Sequence, residues 1–194
     1  MILEEITRLA DQRRHTVAFK SKGKLAYKPV DGPANPTSDD VQGIYLNVND
    51  DRDKSHILVF DFDDKEGKGI AAGPTMSVAR HLEERGIPHV IFRSGGGHGY
   101  HIWIFFENAK RVDALKDWAK KLLSEIKEEK TKYVAVASGS LNKNVYNAKG
   151  KVTHIEHGVE VLPKGIGEQN VALPCYRESV PMRLVKEAVL PRSR

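Results

Sequence analysis

A run of apolar, β-favouring residues that ends in acids determines more of what this chain can fold into than any other segment: His56-Ile57-Leu58-Val59-Phe60-Asp61-Phe62-Asp63-Asp64. Charged turns bound the run on both sides, which predicts a buried strand. Because successive side chains of a strand point to opposite faces, Asp61 and Asp63 share one face about 7 Å apart, while Phe62 takes the other. The segment therefore predicts a buried strand that ends in two converging carboxylates.

The rest of the chain predicts helices and short strands in mixed order. Apolar spacing of three and four residues predicts helices over 2–14, from Pro74 to the stop at Gly86, and over 109–130, with a small helix and tail over 181–194. Residues 20–53 are expected to be largely irregular around one strand at 43–48. Further strands are predicted at 89–93, 100–106, 133–137, 152–155, 159–162 and 171–173. This order, with a hairpin connection at 94–99, favours an α+β fold with an antiparallel or mixed sheet over a doubly wound parallel sheet.

Length and cysteine content limit the class of protein. A chain of 194 residues suits one domain, which we divide into an N-terminal unit (1–55), a core (56–175) and a tail (176–194). No apolar run approaches the ~18 residues of a membrane span, and the first residues carry acids where a signal peptide carries bases. The single cysteine, Cys175, excludes an internal disulfide and a thiolate metal cluster. We therefore expect a cytoplasmic protein without membrane partners, whose metals bind to oxygen or imidazole.

The charges are unevenly distributed. The chain carries +5 overall, yet residues 31–66 hold ten acids against three bases, a local charge of −7, so the remainder carries +12. A basic body around an acidic focus is typical of proteins that bind polyphosphate and hold divalent cations. An acidic surface loop explains the same numbers.

Three segments carry residues suited to phosphate chemistry. Asp61 and Asp63 repel each other unless a cation lies between them, and hard oxygen ligands favour Mg²⁺ or Mn²⁺. The alternative is an acidic strand end in solvent.

The second segment is glycine-rich: Ser94-Gly95-Gly96-Gly97-His98-Gly99-Tyr100-His101. Its glycines let backbone N–H groups approach a phosphate closely, and the Ser94 hydroxyl adds a donor. His101 begins the next strand, where an imidazole can donate to phosphate and Trp103 on the same face can pack under it. A flexible hairpin turn with an incidental histidine is the alternative.

The third segment runs from Gly158 through Glu160 to Lys164. Glu160 alternates with two valines in a strand and is a candidate third metal ligand, while Lys164 at the strand end suits a polyphosphate as a point charge. A charged edge hairpin is the alternative. The pairs His98/His101 and His154/His157 are interpreted as surface histidines, apart from His101.

Taken together and in this order, the three segments resemble the motifs of the archaeo-eukaryotic primase superfamily, specifically its primase-polymerase branch, from about residue 27 to 174. The resemblance implies that Asp61, Asp63 and Glu160 bind the catalytic Mg²⁺ or Mn²⁺ ions, although many members have Asp at the third position and Glu156 competes for that role. It also implies a nucleotide site made of residues from all the later motifs: Ser94, Gly95, Gly96, Gly97, His101, Lys164 and Asn170.

The same resemblance implies a fold and an activity. The expected fold is of the archaeo-eukaryotic primase type, a ferredoxin-like (RNA-recognition-like) sheet facing the active site, plus an N-terminal α/β unit. The expected activity is two-metal nucleotidyl transfer from nucleoside triphosphates, which makes primers or extends DNA on a single-stranded template. Replication or repair proteins, or further domains of a longer chain, are compatible partners. The alternatives are a metal-dependent nuclease or phosphodiesterase, and an inactive module that binds single strands.

Overall fold

The computed structural model describes residues 2–10, 12–21, 24–35, 42–48, 53–64, 67–94, 98–137, 142–165 and 170–172. The predicted helix over 181–194 and Cys175 lie outside them. In chain order the elements are α1 (Ile2–Leu9), β1 (Arg14–Ser21), β2 (Lys24–Asp31), β3 (Gln42–Tyr45), β4 (Lys54–Phe62), α2 (Ala72–Glu84), β5 (Val90–Arg93), β6 (Tyr100–Arg111), α3 (Val112–Glu125), β7 (Thr131–Val136), β8 (Asn142–Tyr146), β9 (Val152–Leu162) and β10 (Asn170–Ala172). Among the described helices, none is both long and apolar enough to cross a bilayer.

The strands form two sheets. The larger sheet has six strands in the order β5-β6-β4-β9-β7, with β8 also paired to β9, and the smaller has four in the order β10-β3-β1-β2. Of the pairs between described strands, β7–β9 is parallel and the others are antiparallel. The predicted α+β class with a mixed sheet is confirmed.

Two apolar layers cover the two faces of the larger sheet, and β4 contributes to both. Leu58 and Phe60 belong to the layer that packs against α2 and α3. Ile57 and Val59 belong to the layer that contains Ile6 of α1 and apolar residues of β3 and β10. The strand is apolar throughout because each of its faces is covered, as buried strands require. α1 and the smaller sheet cover the second layer. From here on we call them the N-terminal unit, which extends the unit defined from the sequence (1–55) by β10.

A β-hairpin of β1 and β2 overlaps the start of residues 20–53, which were expected to be largely irregular, and β2 lies entirely inside that range. β1 and β2 pair along their full lengths, from Arg14 opposite Asp31 to Ser21 opposite Lys24. Arg14 therefore begins a strand. The sequence had predicted that it ends the first helix, which is wrong. Pro29 in β2 obscured the pattern, but β2 is an edge strand of its sheet, where proline is tolerated. The strand predicted at 171–173 is found as β10, which spans Asn170–Ala172 and joins this sheet beside β3.

Three elements of the larger sheet differ from prediction. β6 continues to Arg111, so α3 begins at Val112 and not near residue 109. The strands predicted at 152–155 and 159–162 are one continuous strand, β9, which pairs with β7 through the intervening Glu156–Gly158. β8 was missed because its sequence, NKNVY, has few apolar residues and is mostly exposed.

Candidate active site

Asp61 lies at the centre of a row of polar residues on three neighbouring strands. In β4 it is opposite His101 of β6 on one side and Glu160 of β9 on the other. Because residues directly opposite each other in a sheet share a face, the three side chains lie together. Their face is the one that the N-terminal unit covers, since Trp103 and Leu162, two residues further along the same strands, belong to that apolar layer.

The Asp61 carboxylate has one oxygen without a hydrogen-bond partner. Its Oδ1 is buried, and Nε2 of His101 lies 3.4 Å away without completing a hydrogen bond. A buried carboxylate oxygen is costly unless a cation or donor satisfies it. The unpaired Oδ1 of Asp61 therefore fits a hard divalent cation, because carboxylate oxygens bind such ions.

The His101 ring packs against aromatic side chains. It is 7% exposed, and its ring centroid is 6.4 Å from that of the fully buried Trp103, as the alternation of the strand predicted. Trp103 in turn contacts Phe92 edge to face and stacks with Phe105. The imidazole is thus fixed beside Asp61 by packing, with Nε2 turned toward the carboxylate.

Glu160 already has a cationic partner within the chain. Lys164, which follows the end of β9, forms an ion pair with the Glu160 carboxylate, and its backbone carbonyl accepts a hydrogen bond from Nζ of Lys116 in α3 at 2.7 Å. The predicted neighbours Glu160 and Lys164 are therefore brought together. Glu156, the competing third acid, lies four residues along β9, opposite Lys132 and Lys143 and not beside Asp61.

The two acids that follow β4 have different environments. Asp63 comes directly after the end of the strand, is half-buried, and lines a cleft with Pro74, Asn142 and His157. The cleft includes none of the three residues of the Asp61 row. Asp64 is buried, and its carboxylate accepts N–H hydrogen bonds from residues 68, 69 and 70 at 3.0, 2.6 and 3.2 Å. Sequence reasoning gave Asp64 no role, although an Asp followed by glycines is a signal for a turn of this kind.

The two ends of the glycine-rich connection between β5 and β6 are hydrogen-bonded to each other. The Ser94 N–H donates to the Gly99 carbonyl at 2.9 Å, and the Gly99 N–H donates to Ser94 Oγ at 3.0 Å. Ser94 therefore links the two ends of the glycine-rich connection, a structural role that the sequence did not predict for it. Gly95, Gly96 and Gly97 lie outside the described residues. Asn170 begins β10 opposite Tyr45, and its side chain is outside the description.

The pair His154/His157 lies away from this row. His157 stacks on Tyr133 with ring centroids 5.6 Å apart and hydrogen-bonds to Asn142, and burial lowers its pKa. His154 contacts Glu156 at 3.6 Å. Within the part of the chain that the structure describes, no three His, Cys, Asp or Glu side chains converge as a ready-made metal site.

Two comparisons relate the chain to known proteins. A solved structure, the polymerase domain of Mycobacterium tuberculosis Ligase D in complex with DNA, superposes with a TM-score of 0.48 at 11% identity, covering 97% of this chain and 80% of that one. No curated protein matches the chain. A family model described as the archaeo-eukaryotic primase domain of TOTE conflict systems matches residues 12–138, more than half of the sequence. The predicted superfamily is thereby confirmed, and the chain belongs to the archaeo-eukaryotic primase domains of TOTE conflict systems.

Proposed function

We propose that this protein is a template-dependent nucleotidyltransferase that makes primers or extends DNA on a single-stranded template. One observation carries the proposal: Asp61, with a buried and unsatisfied carboxylate oxygen, lies between His101 and Glu160 on adjacent strands. Membership of a primase-domain family supports the same chemistry.

Asp61, Asp63 and Glu160 are the residues that would hold Mg²⁺ or Mn²⁺. When bound, such ions activate a 3′-hydroxyl as nucleophile and stabilise the charge on the leaving pyrophosphate. The chain's own contribution is to fix the carboxylates before substrate arrives. β4 and its two neighbours set the position of Asp61 through the sheet register, and the ion pair with Lys164 restrains Glu160.

The proposed nucleotide site surrounds this row. His101 is positioned by Trp103 to donate a hydrogen bond to phosphate, and Lys164 supplies a positive charge at the end of β9. Ser94 closes the turn whose glycines, Gly95 to Gly97, would present backbone N–H groups. Asn170 completes the proposed set from β10. The N-terminal unit packs against the same face of the sheet, beside the row.

The decisive experiment measures incorporation of labelled nucleotides on single-stranded DNA with Mn²⁺, with and without an annealed primer. Asp61→Asn keeps the size of the side chain but removes its charge, and we expect it to lower incorporation by at least about 100-fold, which corresponds to about 2.7 kcal/mol of transition-state stabilisation. Asp117→Asn, an exposed acid on α3, is the matched control and should remain active.

The two formats and one further assay separate the alternatives. Product without a primer identifies a primase, whereas product only with a primer identifies a polymerase that extends. Cleavage of labelled DNA in the absence of nucleotides would identify a nuclease. DNA binding without any turnover, equal in wild type and Asp61→Asn, would identify an inactive binding module and contradict the proposal.

A further inference from the structure

The sheet face that carries Asp61 and Glu160 extends past the region covered by the N-terminal unit. Glu156 lies on the same face of β9 as Glu160, because the two are four residues apart in a strand. Opposite Glu156 lie Lys132 of β7 on one side and Lys143 of β8 on the other. We call the surface formed by Lys132, Val134, Lys143 and Glu156 the open face.

Exposure shows that the open face is uncovered. Lys132 and Lys143 are exposed, and Val134, which lies between Lys132 and the Glu160 row, is 39% exposed despite being aliphatic. The opposite face of the same strand is covered, since Tyr133 is 5% exposed and packs into the layer under the helices. The exposure therefore belongs to one side of β7 and is not due to a frayed strand.

The charges of the open face favour a polyanion. Among the residues that the structure describes, neither the Lys132 nor the Lys143 ammonium has an ion-pair partner, while Glu156 contacts His154 at 3.6 Å. Glu156 thus lies between two cations without neutralising either through a direct contact. Exposed, unpaired ammonium groups on a flat surface suit the repeated charges of a phosphate backbone.

We propose that the open face binds the sugar–phosphate backbone of a nucleic-acid strand that leads to the Asp61 row. The proposal rests on the proposed function, since it supplies a track for that function's substrate. Four residues of strand separate Glu156 from Glu160, about 13 Å at 3.3 Å per residue. At 3.4 Å per nucleotide in a B-form strand, the lysines lie about four nucleotides from the reacting end.

The kind of binding follows from the residues present. None of the four residues of the open face is aromatic, so their own contacts are to phosphates and carry no sequence preference. Contacts of this kind release counterions and are strongly weakened by salt. The open face would therefore contribute affinity and direction, and not the selection of the nucleotide.

The test measures binding of a fluorescein-labelled oligothymidylate of about 15 nucleotides, within the range of single-strand site sizes, by anisotropy at several salt concentrations. Lys132→Ala/Lys143→Ala should bind roughly tenfold more weakly, with a salt slope reduced by about 1.4, or 0.7 for each lost phosphate contact. Lys120→Ala/Lys121→Ala removes the same charge from exposed positions on α3 and is the matched control. Glu156→Gln should bind more tightly than wild type, because it removes a negative charge from between the lysines.

Each outcome decides the inference. A weaker Lys132/Lys143 variant with an unchanged Lys120/Lys121 variant supports it, and tighter binding by Glu156→Gln supports it independently of any folding defect. Equal weakening by both lysine pairs, or no binding by wild type, overturns it. Nucleotide incorporation measured on the same preparations decides the proposed function separately, so an active enzyme with an unaffected lysine variant would refute this inference alone.

Discussion

Gly99 lies where a side chain has no room, and replacing it with alanine tests whether the glycine-rich turn is fixed against the end of β4. A Cβ at this position would lie 2.7 Å from the Phe62 carbonyl oxygen and 3.1 Å from Ser94 Oγ. Ordinary contacts begin at 3.4 Å, so turn and strand would have to separate by about 0.7 Å. The residue after Phe62 is Asp63, and therefore this contact bears directly on the proposed metal ligands.

The cost follows from what holds the two backbones together. Phe62 is opposite Tyr100 in the β4–β6 ladder, and Gly99 is tied to Ser94 by the hydrogen bonds of 2.9 and 3.0 Å. Because the added Cβ crowds both Phe62 O and Ser94 Oγ, Gly99 must move relative to Ser94 as well, and a shift of about 0.7 Å would stretch the Ser94–Gly99 bonds beyond normal hydrogen-bond length. At about 1 kcal/mol for each bond, together with overpacking, we expect Gly99→Ala to lower the free energy of unfolding by roughly 1–3 kcal/mol.

Urea denaturation followed by circular dichroism measures this change. Gly165→Ala is the matched control, because a Cβ there meets no atom within 4 Å and its φ is not in the left-handed region. Alanine at a glycine whose backbone conformation it can adopt should raise the free energy of unfolding by up to about 1 kcal/mol. Opposite signs for the two glycines are expected. A Gly99→Ala variant as stable as wild type would refute the close contact between Gly99 and Phe62.

Two further predictions concern residues outside the row. The fully buried Ser55 hydroxyl lies 2.6 Å from the Leu46 carbonyl, 2.8 Å from the Ile57 carbonyl and 3.0 Å from the Ile57 N–H. Ser55→Ala should therefore cost about 1–3 kcal/mol in urea denaturation, and an effect as small as that of the exposed Ser124→Ala would contradict this. Burial lowers the pKa of His157 in the folded state, so its contribution to stability is present above the unfolded pKa of about 6.5 and is lost as the pH falls through it. Thermal unfolding between pH 7.5 and 5 should show a smaller loss for His157→Gln than for wild type; identical pH profiles would contradict the assignment.

Local sequence patterns predicted the strands and turns of the site but not all of its neighbours. The apolar run before Asp61, the stop at Gly86, whose φ is +66°, and the hairpin between β5 and β6 depend on residues close in sequence, and each is found in the structure. The β1–β2 hairpin and β8 have few apolar residues, and their pairing depends on strands elsewhere in the sheets. Propensity carries little information for such edge strands, because packing against neighbours decides whether they form.

The surroundings of Asp61 depend both on alternation within each strand and on the pairing of strands that are distant in sequence. Period-two alternation fixes which side chains of β4, β6 and β9 share a face, and this much can be predicted from one strand at a time. Alternation does not say that β9, a hundred residues later, lies beside β4, and so the choice between Glu156 and Glu160 was open in the sequence. The observed register places Glu160 opposite Asp61 and moves Glu156 to the open face between two lysines. A one-residue slip of β9 would turn Glu160 toward the helices and put Val159 or Val161 in its place, so the apolar layer that buries both valines also fixes the acid beside Asp61.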